Sequence, residues 1–93
     1  MSQNERIHVL YRGEVQGVGF RFAAVRLASK FDVNGFVKNL SDGSVELVAE
    51  GDKWRLEALV EGLREEMCAC IHDLEVKWQE ATGEFSQFQI RFH

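Results

Sequence analysis

A chain of 93 residues, 45% hydrophobic and 28% charged, has the size and composition of one globular domain, expected to span residues 1–93. No apolar run approaches the roughly 20 residues a membrane-spanning helix needs, and the polar start, Met1 to Arg6, lacks the basic-then-apolar order of a secretory signal, so a cytoplasmic protein without membrane contact is expected. The net charge of −4 argues against nucleic-acid binding, which draws its affinity from a basic face, while leaving room for one local anion site.

Residues 6–12 alternate, with Ile7, Val9 and Tyr11 on one side and Arg6, His8, Leu10 and Arg12 on the other, which is a strand period. The glycine-bearing turn Gly13-Glu14-Val15-Gln16-Gly17-Val18-Gly19 follows. Phe20, Ala23, Ala24, Leu27 and Phe31 then recur at helical spacing, and Asn34-Gly35 is expected to end that helix with a left-handed residue. Strands at 36–40 and 44–49 flank Ser41-Asp42-Gly43, whose Asp-Gly pair signals a hairpin. Asp52 is the expected N-cap of a second helix with the stripe Leu56, Leu59, Val60, Leu63 and Met67. Leu74, Val76 and Trp78, then Phe88, Ile90 and Phe92, alternate with polar residues as the last two strands. The order β-α-β-β-α-β plus a closing strand predicts an α+β fold, a ferredoxin-like two-layer α/β sandwich. Its sheet is mainly antiparallel, with both helices on one face.

Several residues read as plain structure. Cys68 and Cys70 are too close for an easy mutual disulfide, and Cys68-Ala69-Cys70-Ile71-His72 matches no common zinc spacing. Trp54 and Trp78 read as core or edge aromatics, Glu61, Glu65 and Glu66 as a solvated helix face. His8 falls on a strand face and His93 ends the chain, so neither joins the glycine-bearing turn.

That turn, between a strand and a helix, is where an anion is most easily held. The first N–H groups of a helix lack partners, and the helix dipole favours negative charge there. Gly17 and Gly19 admit a ligand close to the backbone, and Arg21 adds a planar fork of donors suited to phosphate oxygens. A Walker loop is excluded because no Lys-Ser or Lys-Thr follows, and a dinucleotide fingerprint because Phe22 stands where its third glycine belongs. On spacing alone, a phosphate cradle and a tight turn with an exposed arginine remain equally open.

The segment from Gly13 to Arg21 resembles the acylphosphatase signature G-x-V-Q-G-V-x-F-R at every fixed position. Gly35-Phe36-Val37-Lys38-Asn39-Leu40-Ser41-Asp42-Gly43-Ser44-Val45 is similar to the second signature of that family, G-x-V-x-N-x-x-D-G-x-V, again without a mismatch. The resemblance extends over nearly the whole chain. It implies an acylphosphatase that hydrolyses small acyl phosphates without metal or organic cofactor. Arg21 is then the catalytic arginine and Asn39 the asparagine that orients the attacking water. Val15, Gln16, Gly17, Val18, Gly19 and Phe20 offer backbone amides to the phosphate. The chain departs from the family at Glu14, where members often carry a basic residue or His. It also departs after the second helix, where Met67-Cys68-Ala69-Cys70-Ile71 replaces a common Gly-Pro.

The local inventory suits that chemistry. Neither signature segment holds His or Cys, and their acids are Glu14 and Asp42. Asp42 is explained by its turn, Glu14 is a weak candidate for a general base, and Ser41 has no evident base to make it a nucleophile. Donors without an acid–base pair suit a carboxylate leaving group, which departs without a proton. Two other readings compete. One is a binding module for phosphate or carbamoyl phosphate, as in the acylphosphatase-like part of hydrogenase-maturation carbamoyltransferases. The other is an RNA-binding ferredoxin-like domain with Tyr11 or Phe36 on an open sheet face. A monomer is the default expectation.

Overall fold

The computed structural model describes residues 4–17 and 19–92. Among them the alternating segments become β1 (Asn4–Gly13), β2 (Asn34–Asn39), β3 (Val45–Asp52), β4 (Ile71–Glu80) and β5 (Phe88–Arg91), and the helical ones α1 (Phe20–Phe31) and α2 (Lys53–Glu66). The sheet order is β4-β1-β3-β2-β5. β1 runs antiparallel to β3 and β4, and β2 antiparallel to β3, while β5 closes the sheet parallel to β2. The ferredoxin-like α+β expectation is met. Among the described residues no helix is long and apolar enough to cross a membrane.

Both helices lie on one face because that face carries the continuous apolar layer. Ile7, Val9, Tyr11, Val37, Val45, Leu47 and Ala49 from the strands pack against Phe20, Ala23, Ala24, Leu27, Leu56, Leu59 and Leu63 from the helices. Fully burying a side chain such as Leu or Phe contributes about 1.5–3 kcal/mol, so this layer carries most of the fold's stability. One cross-strand row of it matters below. Asn39 pairs with Val45, which pairs with Tyr11, which pairs with Leu74.

The end of α1 differs from the sequence expectation. α1 ends at Asp32, which takes the left-handed conformation itself (φ 56, ψ 57) while its N–H closes on the last helical turn. Aspartate tolerates that region better than most side chains, so Gly35 is not needed there. Gly35 instead lies inside β2, where a Cβ would stand 1.9 Å from the Val48 carbonyl oxygen, and its N–H donates to Gln87 O at 3.0 Å. Asp52 does occupy the N-cap of α2, but its carboxylate makes no capping bond. It faces Arg55 Nε at 3.4 Å, and Arg55 also donates to Phe31 O at 3.0 Å, tying the start of α2 to the end of α1.

The opposite face is polar and partly strapped over. His8 and Glu46 meet at 2.8 Å. Phe36 is buried beneath the Phe85 ring at 5.9 Å and the Arg91 guanidinium at 4.1 Å, and Tyr11 points into the core, so neither offers the open-face stacking an RNA platform requires. The β4–β5 segment is held by Glu50, whose carboxylate accepts from Arg6 (3.2 Å), the Thr82 N–H (2.8 Å), the Thr82 hydroxyl (3.1 Å) and the Gly83 N–H (2.9 Å). Trp54 and Trp78 lie at the surface, 59% and 40% exposed.

Candidate functional site

Hydrophobic anchors set the path of the β1–α1 loop. Val15 and Phe20 at its two ends are fully buried, and the Phe20 ring packs edge-on against Tyr11 at 4.8 Å. Between them Gly17 and Gly19 are exposed and Gln16 is half-buried; Val18 lies outside the described residues. At the loop's entry the Glu14 N–H donates to Cys70 O at 2.9 Å. The connection after α2, which lacks the common Gly-Pro, turns through bonds from the Cys70 and Ile71 N–H groups to Met67 O and so braces the loop. Sequence reasoning missed this brace, because its backbone partner carries no side-chain signature.

From Val15 to Phe20, among the described residues, no main-chain N–H donates to a backbone carbonyl; the next such bond is Ala23 N–H to Gly19 O at 3.1 Å. Gly19 is the N-cap of α1 in the left-handed conformation (φ 75, ψ 19) and contributes no side-chain cap. The loop and the first turn thus present a run of unspent donors at the positive end of a helix. The space is open as well, since among the described residues, chain neighbours apart, nothing lies within 4 Å of where a Cβ would stand on Gly17 or Gly19.

Arg21 sits one residue inside α1, half-buried, with its guanidinium over the ring of Phe92 at 5.4 Å. β5 therefore delivers an aromatic face to the arginine of the loop, a contact that the sequence alone did not suggest. Asn39 ends β2 on the helix-facing side of the sheet, in the row with Val45 and Tyr11. Its Oδ1 is buried and takes no hydrogen bond from any described residue. The loop and the β2–β3 turn are brought together by Gln16, whose side-chain nitrogen donates to Leu40 O at 2.7 Å and Ser44 O at 2.8 Å.

Asp42 is absorbed by that turn. Its Oδ1 accepts from the Ser44 hydroxyl at 2.5 Å and the Ser44 N–H at 2.9 Å, and these two donors hold its carboxyl below the usual carboxylate range. Glu14 and Ser41 are exposed. Among the described residues no three His, Cys, Asp or Glu side chains gather as a metal ion would require.

The family model described as Acylphosphatase matches residues 7–90. A protein named "Acylphosphatase" from Anaeromyxobacter sp. is 42% identical over 98% of this chain and 99% of its own length. One of the same name from Methylococcus capsulatus is 45% identical over 92% of this chain and 95% of its own. The crystal structure of acylphosphatase from Bacillus subtilis superposes with a TM-score of 0.86 at 30% identity, covering 95% of this chain and 99% of that one.

Proposed function

The chain belongs to the acylphosphatase family and is an enzyme of that kind, and from that premise we propose that it hydrolyses the carboxyl–phosphate bond of small acyl phosphates by direct attack of water on phosphorus. The products are a carboxylate and inorganic phosphate. The bond between phosphorus and the acyl oxygen breaks, and the carboxylate leaves with the electron pair. The new bond joins phosphorus to the water oxygen, and the water's surplus proton passes to the phosphate.

The observation that carries this reading is the set of amides of Val15, Gln16, Gly17, Gly19 and Phe20, none bonded to a backbone carbonyl among the described residues, with Arg21 beside them. Those donors face the equatorial phosphoryl oxygens and neutralise the charge that grows on them, the dominant contribution to phosphoryl transfer. Asn39 Oδ1, an acceptor with no hydrogen-bond partner among the described residues, accepts a hydrogen bond from the attacking water and fixes it in line with the leaving group. Because a carboxylate departs unprotonated, no general acid is required, and the exposed Glu14 has no assigned step.

Hydrolysis of benzoyl phosphate tests the reading. Wild-type turnover is expected to persist in EDTA. Arg21→Ala and Asn39→Ala are expected to lose at least about 100- to 1000-fold in kcat while remaining folded, the scale of loss seen when one preorganised polar group is removed from such a site. A folded Arg21→Ala protein with full activity would refute the assignment.

A further inference from the structure

The two halves of the proposed site stand on different parts of the sheet. The loop follows β1 and Asn39 ends β2, and β3 lies between them, so the loop's origin and Asn39 are two strand spacings apart, about 10 Å. Something must fix one half against the other. Gln16 crosses that gap. Its side-chain nitrogen reaches Leu40 O at 2.7 Å and Ser44 O at 2.8 Å, which occupies both N–H groups of the amide.

Its two acceptors belong to a turn that is already rigid. The Gly43 N–H donates to Leu40 O at 3.2 Å, and the Leu40 N–H, which lies in the peptide joining it to Asn39, donates to Ser44 O at 2.9 Å. Asp42 then holds both the N–H and the hydroxyl of Ser44. Gln16 therefore grips a stiff unit whose first peptide is the one leaving Asn39. The other end of Gln16 is the loop backbone itself, anchored in the core by Val15.

We propose that Gln16 is a positioning residue: its side chain locks the loop that holds phosphate against the turn that holds Asn39, and so sets the water in line with phosphorus. The inference rests on the function proposed above. It assigns the side chain a task separate from the backbone amide that Gln16 offers to substrate. The water and the phosphoryl group must align to a fraction of an ångström, so loosening the bridge costs rate before it costs binding. Loop amides and Arg21 still grip the phosphate when the bridge is gone.

The test uses benzoyl phosphate turnover, with inorganic phosphate as competitive inhibitor, in wild type, Gln16→Leu, Asn39→Ala and the double variant. Gln16→Leu is expected to lower kcat about 10- to 100-fold, as misalignment does, with KM and the phosphate inhibition constant changing less than about threefold. In the Asn39→Ala background, where no water is held, Gln16→Leu is expected to cost less than about threefold more, because the two side chains act through one step. Losses that simply multiply would overturn the role, and so would a Gln16→Leu enzyme with raised KM and unchanged kcat. Should Gln16→Leu fail to fold, Gln16→Glu decides. Its carboxylate has no donor at neutral pH and regains one when protonated, so its kcat relative to wild type should recover as pH falls toward about 5. A ratio that does not move with pH would overturn the role. Inactive wild type would remove the function and the positioning role together. An active wild type with additive Gln16 and Asn39 losses would remove the positioning role alone.

Discussion

Tyr11 Oη and Asn39 Oδ1 are both buried without a hydrogen-bond partner among the described residues, and they share one cross-strand row with Val45 between them. An unsatisfied buried polar atom costs about 1–3 kcal/mol, so each asks for a reason. Asn39 has one in the proposed water contact, while Tyr11 is fully enclosed and reaches no substrate. Tyr11→Phe is therefore expected to stabilise the fold by about 1 kcal/mol, raising the thermal midpoint by roughly 4–8 °C with kcat unchanged. A lowered midpoint would show that the hydroxyl has a partner. Burial also pushes the Tyr11 phenol well above its ordinary value. The fold favours the protonated form, so this stability is whole below the unfolded-state pKa of about 10 and is lost as pH rises beyond it. Tyr11 is the chain's one tyrosine. Phenolate absorbance should thus appear together with unfolding in alkali, and the Tyr11→Phe midpoint should fall less steeply above that pH.

Among the elements, the β1–α1 loop shows most clearly which glycine serves the fold and which serves a ligand. Gly35 is demanded by its neighbour, since a side chain there would strike the Val48 carbonyl. Gly17 has no such demand, because its φ is not in the left-handed range and, chain neighbours apart, no atom of the described residues lies within 4 Å of its missing Cβ. If the backbone at Gly17 approaches a phosphate, a methyl group there obstructs the ligand and nothing else. Gly17→Ala should keep the wild-type thermal midpoint within the change expected of about 0.5 kcal/mol, while raising KM for benzoyl phosphate and the phosphate inhibition constant at least tenfold, about 1.4 kcal/mol or more of lost binding. Unchanged inhibition by phosphate would remove the loop from the binding site. The loop itself was legible in the sequence, because its glycines, its arginine and the following helix are neighbours along the chain. The same holds for the hairpin residues around Asn39. The Gln16 bridge, the Cys70 brace and the Phe92 ring over Arg21 were not legible. Each joins residues far apart in sequence, and only the strand order brings them together. The end of α1 was misplaced for a related reason: Asn34-Gly35 has the local chemistry of a cap, but Gly35 is required by a close approach to β3.

At the scale of the whole molecule, the sheet's far face bears on the site through Glu50. This carboxylate, buried on β3, gathers donors from Arg6, Thr82 and Gly83 and so pins the segment that leads into β5. β5 in turn carries the chain to Phe92, against Arg21. Burial by itself would raise the Glu50 pKa, but the N–H groups of Thr82 and Gly83, the Thr82 hydroxyl and the Arg6 charge together hold it below the usual range. A depressed folded-state pKa contributes stability that is present above the unfolded-state value near 4.3 and is lost as pH falls through the lower folded one. Wild type should therefore lose stability steadily below about pH 4.3. Glu50→Gln keeps the shape but removes the charge and turns a donor toward other donors. It should cost about 1–3 kcal/mol at neutral pH and leave a flatter stability profile between about pH 5 and 3. Denaturant titrations of both proteins across that range measure the difference directly. Parallel acid profiles would place the acid sensitivity elsewhere, and with it the claim that one carboxylate fastens the closing strand. If the profiles converge as expected, the strand that carries Phe92 to Arg21 is itself held by a charge on the opposite face, and acid should loosen the arginine's surroundings as it protonates Glu50.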